Sequence, residues 1–219
     1  MSEDKRYNQL SPFQLKQYID NKDIYIVDTR EIPLCKNGYI EKSIIIPLSM
    51  SYTTWFPKVI PNNSQVILIT DHEHLNESLY NTASLNSYNI IGYAIYDDLI
   101  SNNNFNIGTI EYNMNTKDEI EKIIKNRDII IDVREINEYK NTGVIKEALL
   151  MPLSCINGEI NKLPKEGNIY VYCRSGMRAV TYMTYAKREG YQNKIIIMEG
   201  GMLKVIQENF GLVAFPFYV

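Results

Sequence analysis

The residues best suited to chemistry lie together in the stretch 173–178, Cys-Arg-Ser-Gly-Met-Arg. The preceding residues 168–172 are β-branched and aromatic, which is typical of a buried parallel strand, and a helical pattern follows Arg178. Cys173 is therefore predicted at the carboxyl end of a strand, where open α/β sheets hold their sites. Gly176 permits a sharp turn there, so that backbone N–H groups and a helix N-terminus can face the sulfur.

This setting predicts a reactive thiolate. The N–H groups and the guanidinium groups of Arg174 and Arg178 all favour negative charge on Cys173. The thiol is then expected to have a pKa in the range of roughly 3.5 to 7.5 that activated cysteines show, and to be a nucleophile at neutral pH. The structural alternative is a small buried side chain at a strand end. Two flanking arginines and a glycine favour the reactive cysteine.

The stretch closely resembles the active-site loop of rhodanese-type sulfurtransferases, which encloses a cysteine persulfide. Four residues separate Cys173 from Arg178, whereas the related loops of tyrosine phosphatases have five and surround a tetrahedral phosphate. The shorter loop is similar to those that transfer sulfur. The resemblance implies Cys173 as the catalytic residue. It also implies that the substrate-binding residues are Arg174, Ser175, Gly176, Met177 and Arg178.

More of the rhodanese pattern lies in the same half of the chain. It comprises Asp132, Arg134, Glu138, Tyr139, Gly143, Ile145, Ala148 and Pro152, followed by Glu199-Gly200-Gly201-Met202. Val144 stands where a histidine is usual in the family. For Asp132 and Arg134 we predict structural support, because a paired Asp and Arg beside a site more often brace loops than react.

An internal repeat divides the chain. Residues 28–32 (Asp-Thr-Arg-Glu-Ile) match residues 132–136 (Asp-Val-Arg-Glu-Ile), 104 positions later, and 46–49 match 151–154. Strand patterns alternate with helical ones, as in a mainly parallel sheet. The predicted fold class is α/β, with two tandem rhodanese-like domains, each a mainly parallel sheet flanked by helices. Their predicted bounds are 1–100 for a degenerate domain, 101–115 for an asparagine-rich linker and 116–219 for the catalytic domain.

The first copy lacks the chemistry. Aligning 65–70 with 168–172 places the sequence Asp71-His72-Glu73-His74 opposite Cys173 and its loop, so that a carboxylate replaces the nucleophile. Its carboxylates would repel an anionic donor. The two histidines could be metal ligands, but residues of a surface loop are favoured. We expect an inactive copy that completes an interface, shapes the substrate cleft, or does both.

Composition limits the other classes of function. The 219 residues carry a net charge of −3, with 23 basic side chains neither in excess nor clustered, which argues against nucleic-acid binding. No run approaches the length of a membrane span, and no signal-peptide core is seen. An odd number of cysteines, three, fits a reducing cytoplasm. Cys35 is expected to be a small core or half-buried side chain. Cys155 lies just after the turn at Pro152, and a role as a second thiol that resolves the persulfide is the less favoured interpretation.

The function expected from the sequence is ping-pong transfer of sulfane sulfur through a Cys173 persulfide. The donor would be thiosulfate or a low-molecular-weight persulfide, and the acceptor a thiol or cyanide. Neither a metal nor an organic cofactor is implied. Family resemblance suggests a separate persulfide-metabolising enzyme as a partner, since two histidines cannot supply a dioxygenase site. The alternatives are a non-catalytic sulfur-sensing or partner-binding module and, less favoured by loop length, a Cys-Arg phosphatase or arsenate reductase.

Overall fold

The computed structural model describes residues 6–101 and 105–215. Residues 1–5, 102–104 and 216–219, which fall in the predicted first domain, linker and second domain, lie outside the described residues. Two compact units divide the chain. The first runs through Thr109 and includes Lys187–Glu189, and the second comprises Ile110–Ala186 and the residues from Gly190 onward.

The first unit contains a four-stranded parallel sheet in the order β3-β1-β4-β5. A further antiparallel pair joins β2 to β6. The strands are β1 (Ile24–Asp28), β2 (Tyr39–Ile40), β3 (Ile44–Ile45), β4 (Gln65–Thr70), β5 (Asn89–Ile95) and β6 (Ile107–Gly108). The helices are α1 (Pro12–Tyr18), α2 (Ile32–Cys35), α3 (Tyr52–Val59), α4 (Leu75–Ser84) and α5 (Tyr96–Ile100).

The second unit contains a five-stranded parallel sheet in the order β7-β11-β10-β8-β9. Its strands are β7 (Glu111–Asn113), β8 (Ile129–Asp132), β9 (Leu149–Leu150), β10 (Ile169–Tyr172) and β11 (Ile195–Met198). Its helices are α6 (Lys117–Lys125), α7 (Ile136–Thr142), α8 (Ile156–Glu159), α9 (Met177–Arg188) and α10 (Gly201–Gln207), with 3₁₀ turns at Leu153–Cys155 and Ile160–Lys162. The four strands β9-β8-β10-β11 have the same chain order as β3-β1-β4-β5. The predicted α/β class with mainly parallel sheets is confirmed.

The sheets are buried on both faces, which explains their nearly continuous apolar sequences. In the second unit, Ile131, Val171 and Ile197 on three neighbouring strands are fully buried. The central helix α9 is covered along most of its length, with nine of its twelve residues buried. The carboxyl end of β10 is therefore supported from both sides. No helix among residues 6–101 and 105–215 is long and apolar enough to cross a membrane.

Two local sequence signals have different outcomes. The sequence Ser11-Pro-Phe-Gln14 predicts a capping box at the start of α1. It is confirmed, because Ser11 Oγ accepts from Gln14 N while the Gln14 side chain accepts from Ser11 N. Thr116 and Glu119 predict a second capping box, which is wrong in one half: Thr116 caps α6, but the Glu119 carboxylate accepts from Asn113 Nδ2 instead. The asparagine-rich segment before α6 therefore contacts the first turn of that helix.

The described part of the predicted linker 101–115 differs from a structureless connection. Its Ile107–Gly108 pairs with β2, and Glu111–Asn113 joins the second sheet beside β11. The many asparagines hide these short strands, because each has only two or three residues of β pattern. The last of them, Asn115, is fully buried.

Candidate active site

Cys173 directly follows β10 and has the expected strand-end position. Its side chain is 1% exposed, and its Sγ accepts a hydrogen bond from the backbone N of Gly176 at 3.1 Å. Gly176 has φ = 117°, a conformation that residues with a Cβ rarely adopt. The tight turn from strand to helix thus aims one backbone N–H at the sulfur, as a thiolate or a persulfide anion requires.

The two arginines of the loop have unequal roles. Arg178 is buried, and its Nη1 and Nη2 donate to the Glu138 carboxylate at 2.5 and 2.8 Å. Arg174 is exposed, and its side chain makes no hydrogen bond or ion pair to the part of the chain that the structure describes. The two guanidinium groups therefore have different environments, because that of Arg178 forms a forked ion pair and that of Arg174 is exposed.

The ion pair also shifts the pKa values of both its members. Burial lowers the pKa of Arg178, but the bond to Glu138 and the nearby Cys173 sulfur together raise it above its usual value. Burial raises the pKa of Glu138, whereas the bonds from Arg178 and from Glu135 N give a net decrease. Both groups are therefore charged at neutral pH. The remaining loop residues form its outer part, with Ser175 exposed and Met177 half-buried.

A supporting role is predicted for Asp132 and Arg134. Both residues are buried, Asp132 as the last residue of strand β8 and Arg134 just after it. Arg134 donates from its Nε and Nη2 to the Asp132 carboxylate, at 2.7 to 3.0 Å, and from Nη2 to the carbonyl of Gly143 at 2.8 Å. The Tyr139 hydroxyl donates to the Asp132 carbonyl at 2.8 Å. These bonds fix the chain that leaves β8 beside the cysteine loop.

The glycine-containing turn after β11 supports the cysteine loop from the other side. Met202 N donates to the Cys173 carbonyl at 2.8 Å, and Leu203 N to the Arg174 carbonyl at 3.1 Å. A Cβ on Gly201 would lie 2.4 Å from the Cys173 carbonyl oxygen, so only glycine permits this approach. Asn115 Nδ2 in turn donates to the Gly201 carbonyl at 2.9 Å. Sequence reasoning missed Asn115, which stands among many similar asparagines and carries no motif.

The other two thiols have different environments. Cys35 is fully buried, and its Sγ donates to the Arg30 carbonyl at 3.6 Å. Burial, together with the charge of Asp28, raises the pKa of the Cys35 thiol far above the ordinary value, so that it is not nucleophilic at neutral pH. Cys155 is exposed at the start of α8, with its Sγ 3.9 Å from Ser154 Oγ.

Strand pairing in the first unit changes the alignment that was expected between residues 65–71 and the strand before Cys173. Thr29 N donates to Ile69 O, as Val133 N donates to Tyr172 O. Thr70, not Asp71, therefore occupies the position that corresponds to Cys173. The sequence alignment placed the last residue of the run 65–70 opposite the last residue of the run 168–172, although the first run is one residue longer. Hydrogen bonding to the neighbouring strand determines instead which residues of the two runs correspond.

The corresponding loop of the first unit is closed by its own hydrogen bonds. Thr70 is fully buried, with its hydroxyl 3.1 Å from Ser78 Oγ, which lies 2.8 Å from Thr29 Oγ1. Asp71 accepts from His74 N and pairs with its Nδ1, each at 2.8 Å, and this bond raises the pKa of His74. Among the described residues, no three potential metal-ligating side chains come together.

The Asp-Arg pair is present in the first unit as well. Arg30 Nη2 donates to Asp28 Oδ2 at 2.7 Å and to the Gly38 carbonyl at 3.1 Å. Position 34, which corresponds to Glu138, is an exposed leucine. The first unit therefore keeps the Asp-Arg ion pair, although it has no equivalent of Cys173 or of Glu138.

Comparison with known proteins places the sequence of the second unit in a family. Residues 116–208 match the model of the rhodanese-like domain. A sulfurtransferase from Allochromatium vinosum is 28% identical over 86 residues, which are 39% of this chain and 78% of the relative. The putative sulfurtransferase YtwF of Bacillus subtilis is 34% identical over 74 residues, 34% of this chain and 69% of the relative. The structure of a rhodanese-related protein from Thermoplasma volcanium has a TM-score of 0.42 at 23% identity and covers 48% of this chain and 99% of its own. The chain belongs to the rhodanese family of sulfurtransferases.

Proposed function

We propose that this protein transfers sulfane sulfur from thiosulfate or a low-molecular-weight persulfide to a thiol or cyanide, through a persulfide on Cys173. The observation that carries the proposal is the hydrogen bond from Gly176 N to Cys173 Sγ within a strand-to-helix turn. The exposed guanidinium of Arg174 beside this turn supports capture of an anionic donor. Metal and organic cofactors have no part in the proposed steps.

The reaction has two half-reactions that balance in atoms and charge. In the first, the Cys173 thiolate attacks the outer sulfur of the donor, whose S–S bond breaks and leaves its electron pair on sulfite or a thiolate. In the second, an acceptor thiolate or cyanide attacks the outer sulfur of the persulfide, and the Cys173 thiolate leaves. The Gly176 N–H stabilises the anionic sulfur, as donors of an oxyanion hole do.

Intact-protein mass spectrometry tests this function. Incubation of the full chain with thiosulfate or with a small persulfide should add one sulfur, about 32 Da, and cyanide should remove it as thiocyanate. The expected stoichiometry is one labile sulfur per chain. A protein that stays at its starting mass with both donors would contradict the proposed function.

Arg174→Ala should weaken donor capture with little change in kcat. We expect KM for thiosulfate to rise about thirtyfold, because each of its two negative charges loses about 1 kcal/mol of attraction to a cation at about 4 Å in a water-like dielectric. The difference should shrink at high ionic strength, since the guanidinium is exposed. Initial rates at two salt concentrations measure it. Lys165→Ala removes an exposed charge before β10, at the opposite edge of the sheet, and should leave KM unchanged; an equal effect of both variants would contradict a local role of Arg174.

We also propose that the first unit is an inactive rhodanese-like copy. The shared strand order, the Asp28–Arg30 brace and the placement of Thr70 at the nucleophile's position support this. The partner enzyme and the cytoplasmic location expected from the sequence remain part of the same proposal.

Introducing a thiol should not restore chemistry to the first unit. In a Cys173→Ser background, Thr70→Cys should form no persulfide, because the new thiol would be buried next to Asp71 and without an arginine in its loop, which raises its pKa. Cyanide-labile sulfur measured after incubation with thiosulfate checks this. Sulfur on residue 70 would show that the thiol alone had been missing.

A further inference from the structure

Glu138 holds the terminal guanidinium of Arg178 from a fixed position. The two side chains are 25% and 11% exposed, so solvent screens their contact only in part. Glu138 is also held by its own helix, because its Oε2 accepts from Glu135 N at 3.0 Å in the capping box of α7. A forked pair between two groups with little freedom keeps a defined geometry.

The charges around the cysteine loop are therefore mostly balanced. Arg134 is paired with Asp132, and Arg178 with Glu138. The Glu135 carboxylate, which accepts from Ser154 N and Oγ, adds a negative charge near Arg178. Arg174 is the loop cation that makes no ion pair to the described residues. Without Glu138, the surroundings of the sulfur would gain one net positive charge.

We propose that Glu138 makes the Cys173 site select sulfur donors with one negative charge, such as thiosulfonates and alkyl persulfides, over doubly charged thiosulfate. The inference rests on the proposed sulfur transfer and names its substrate class. An uncompensated cation attracts a dianion about twice as strongly as a monoanion at the same distance. By cancelling the charge of Arg178, Glu138 removes more attraction from thiosulfate than from a monoanionic donor. Glu138 is thus a specificity-determining residue that acts through Arg178.

Glu138→Gln tests this with two donors of nearly equal shape. Glutamine has the length of glutamate and can still accept from Glu135 N, as capping boxes with glutamine do. Thiosulfate and methanethiosulfonate share the same sulfane sulfur, while a methyl group replaces one charged oxygen in the second. The ratio of kcat/KM for thiosulfate to that for methanethiosulfonate should rise about fivefold in the variant, and by less at high salt. Glu121→Gln, which removes an exposed carboxylate of α6, should leave the ratio unchanged.

A second measurement needs no sulfur transfer. Iodoacetate and iodoacetamide alkylate the same thiol and differ by one negative charge, so their rate ratio at Cys173 reports the local charge. This ratio should also rise about fivefold in Glu138→Gln. The double variant Glu138→Gln, Arg178→Gln is again neutral at this pair and should return both ratios to their starting values.

The outcomes separate the two proposals. If persulfide forms but neither ratio changes in a variant with unaltered circular dichroism, the role of Glu138 is overturned and the proposed function stands. A ratio that stays raised in the double variant would also overturn that role, since the added charge would then not be that of Arg178. If the unaltered protein forms no persulfide, the proposed function fails and the inference about donors fails with it, whatever the alkylation ratio shows.

Discussion

Serine in place of Cys173 should abolish sulfur uptake and lower turnover by on the order of 10⁶-fold, the scale of losing a covalent nucleophile. A hydroxyl group does not ionise at neutral pH, and the N–H of Gly176 cannot compensate for that. Thiocyanate formation from thiosulfate and cyanide measures the turnover. Intact mass after incubation with donor measures the loss of the added sulfur.

The other thiols supply the matched controls for this variant. Cys35→Ser and Cys155→Ser should keep a full equivalent of labile sulfur, because one thiol is buried with a raised pKa and the other lies outside the cysteine loop. A second equivalent on Cys155, or turnover that depends on it, would assign that residue to the resolution of the persulfide. Turnover that persists in Cys173→Ser would show that the nucleophile lies elsewhere.

Alanine at Gly201 should damage both the stability of the second unit and its activity. The added Cβ would lie 2.4 Å from the Cys173 carbonyl oxygen and 2.8 Å from that of Arg174, and the residue has φ = 55°. Strain and overpacking together should cost about 3 kcal/mol of unfolding free energy. Urea unfolding followed by circular dichroism measures the loss, and thiocyanate formation should fall in parallel as the loop is displaced.

Gly158→Ala is the control for this effect. Its Cβ would meet no atom within 4 Å, and Gly158 has no positive φ, so the variant should be neutral or slightly more stable. Equal behaviour of the two alanine variants would contradict the close approach of the α10 turn to the cysteine loop. A stable but inactive Gly201→Ala would show that the loop can move without cost to folding.

The sequence was sufficient for features in which one short segment determines both structure and chemistry. The apolar strand, the glycine turn and the helix of 168–188 are consecutive, so the position of Cys173 at a strand end followed from local pattern alone. The parallel arrangement of the sheet followed from the alternation of strands and helices. Neither inference required knowledge of distant contacts.

Features that depend on distant residues were beyond the sequence. Arg178 and Glu138 are 40 positions apart, and only the fold brings the carboxylate to the guanidinium, so the loop was expected to be more positive than it is. Asn115 contacts a turn 86 positions away. The equivalence of Thr70 and Cys173 depends on pairing with a neighbouring strand, which an alignment of run ends does not contain.

The duplicated Asp-Arg brace has a consequence for reading sequences of this kind. Asp28–Arg30 and Asp132–Arg134 have nearly the same bonds, including one to a glycine carbonyl, although only the second lies beside a cysteine loop. The motif Asp-x-Arg-Glu is therefore a marker of architecture, because it does not distinguish the unit with the cysteine loop from the unit without it. A genome survey that counts cysteine loops by this motif would count the present chain twice. One that requires a cysteine directly after the central strand and a glutamate four residues after the arginine would count it once.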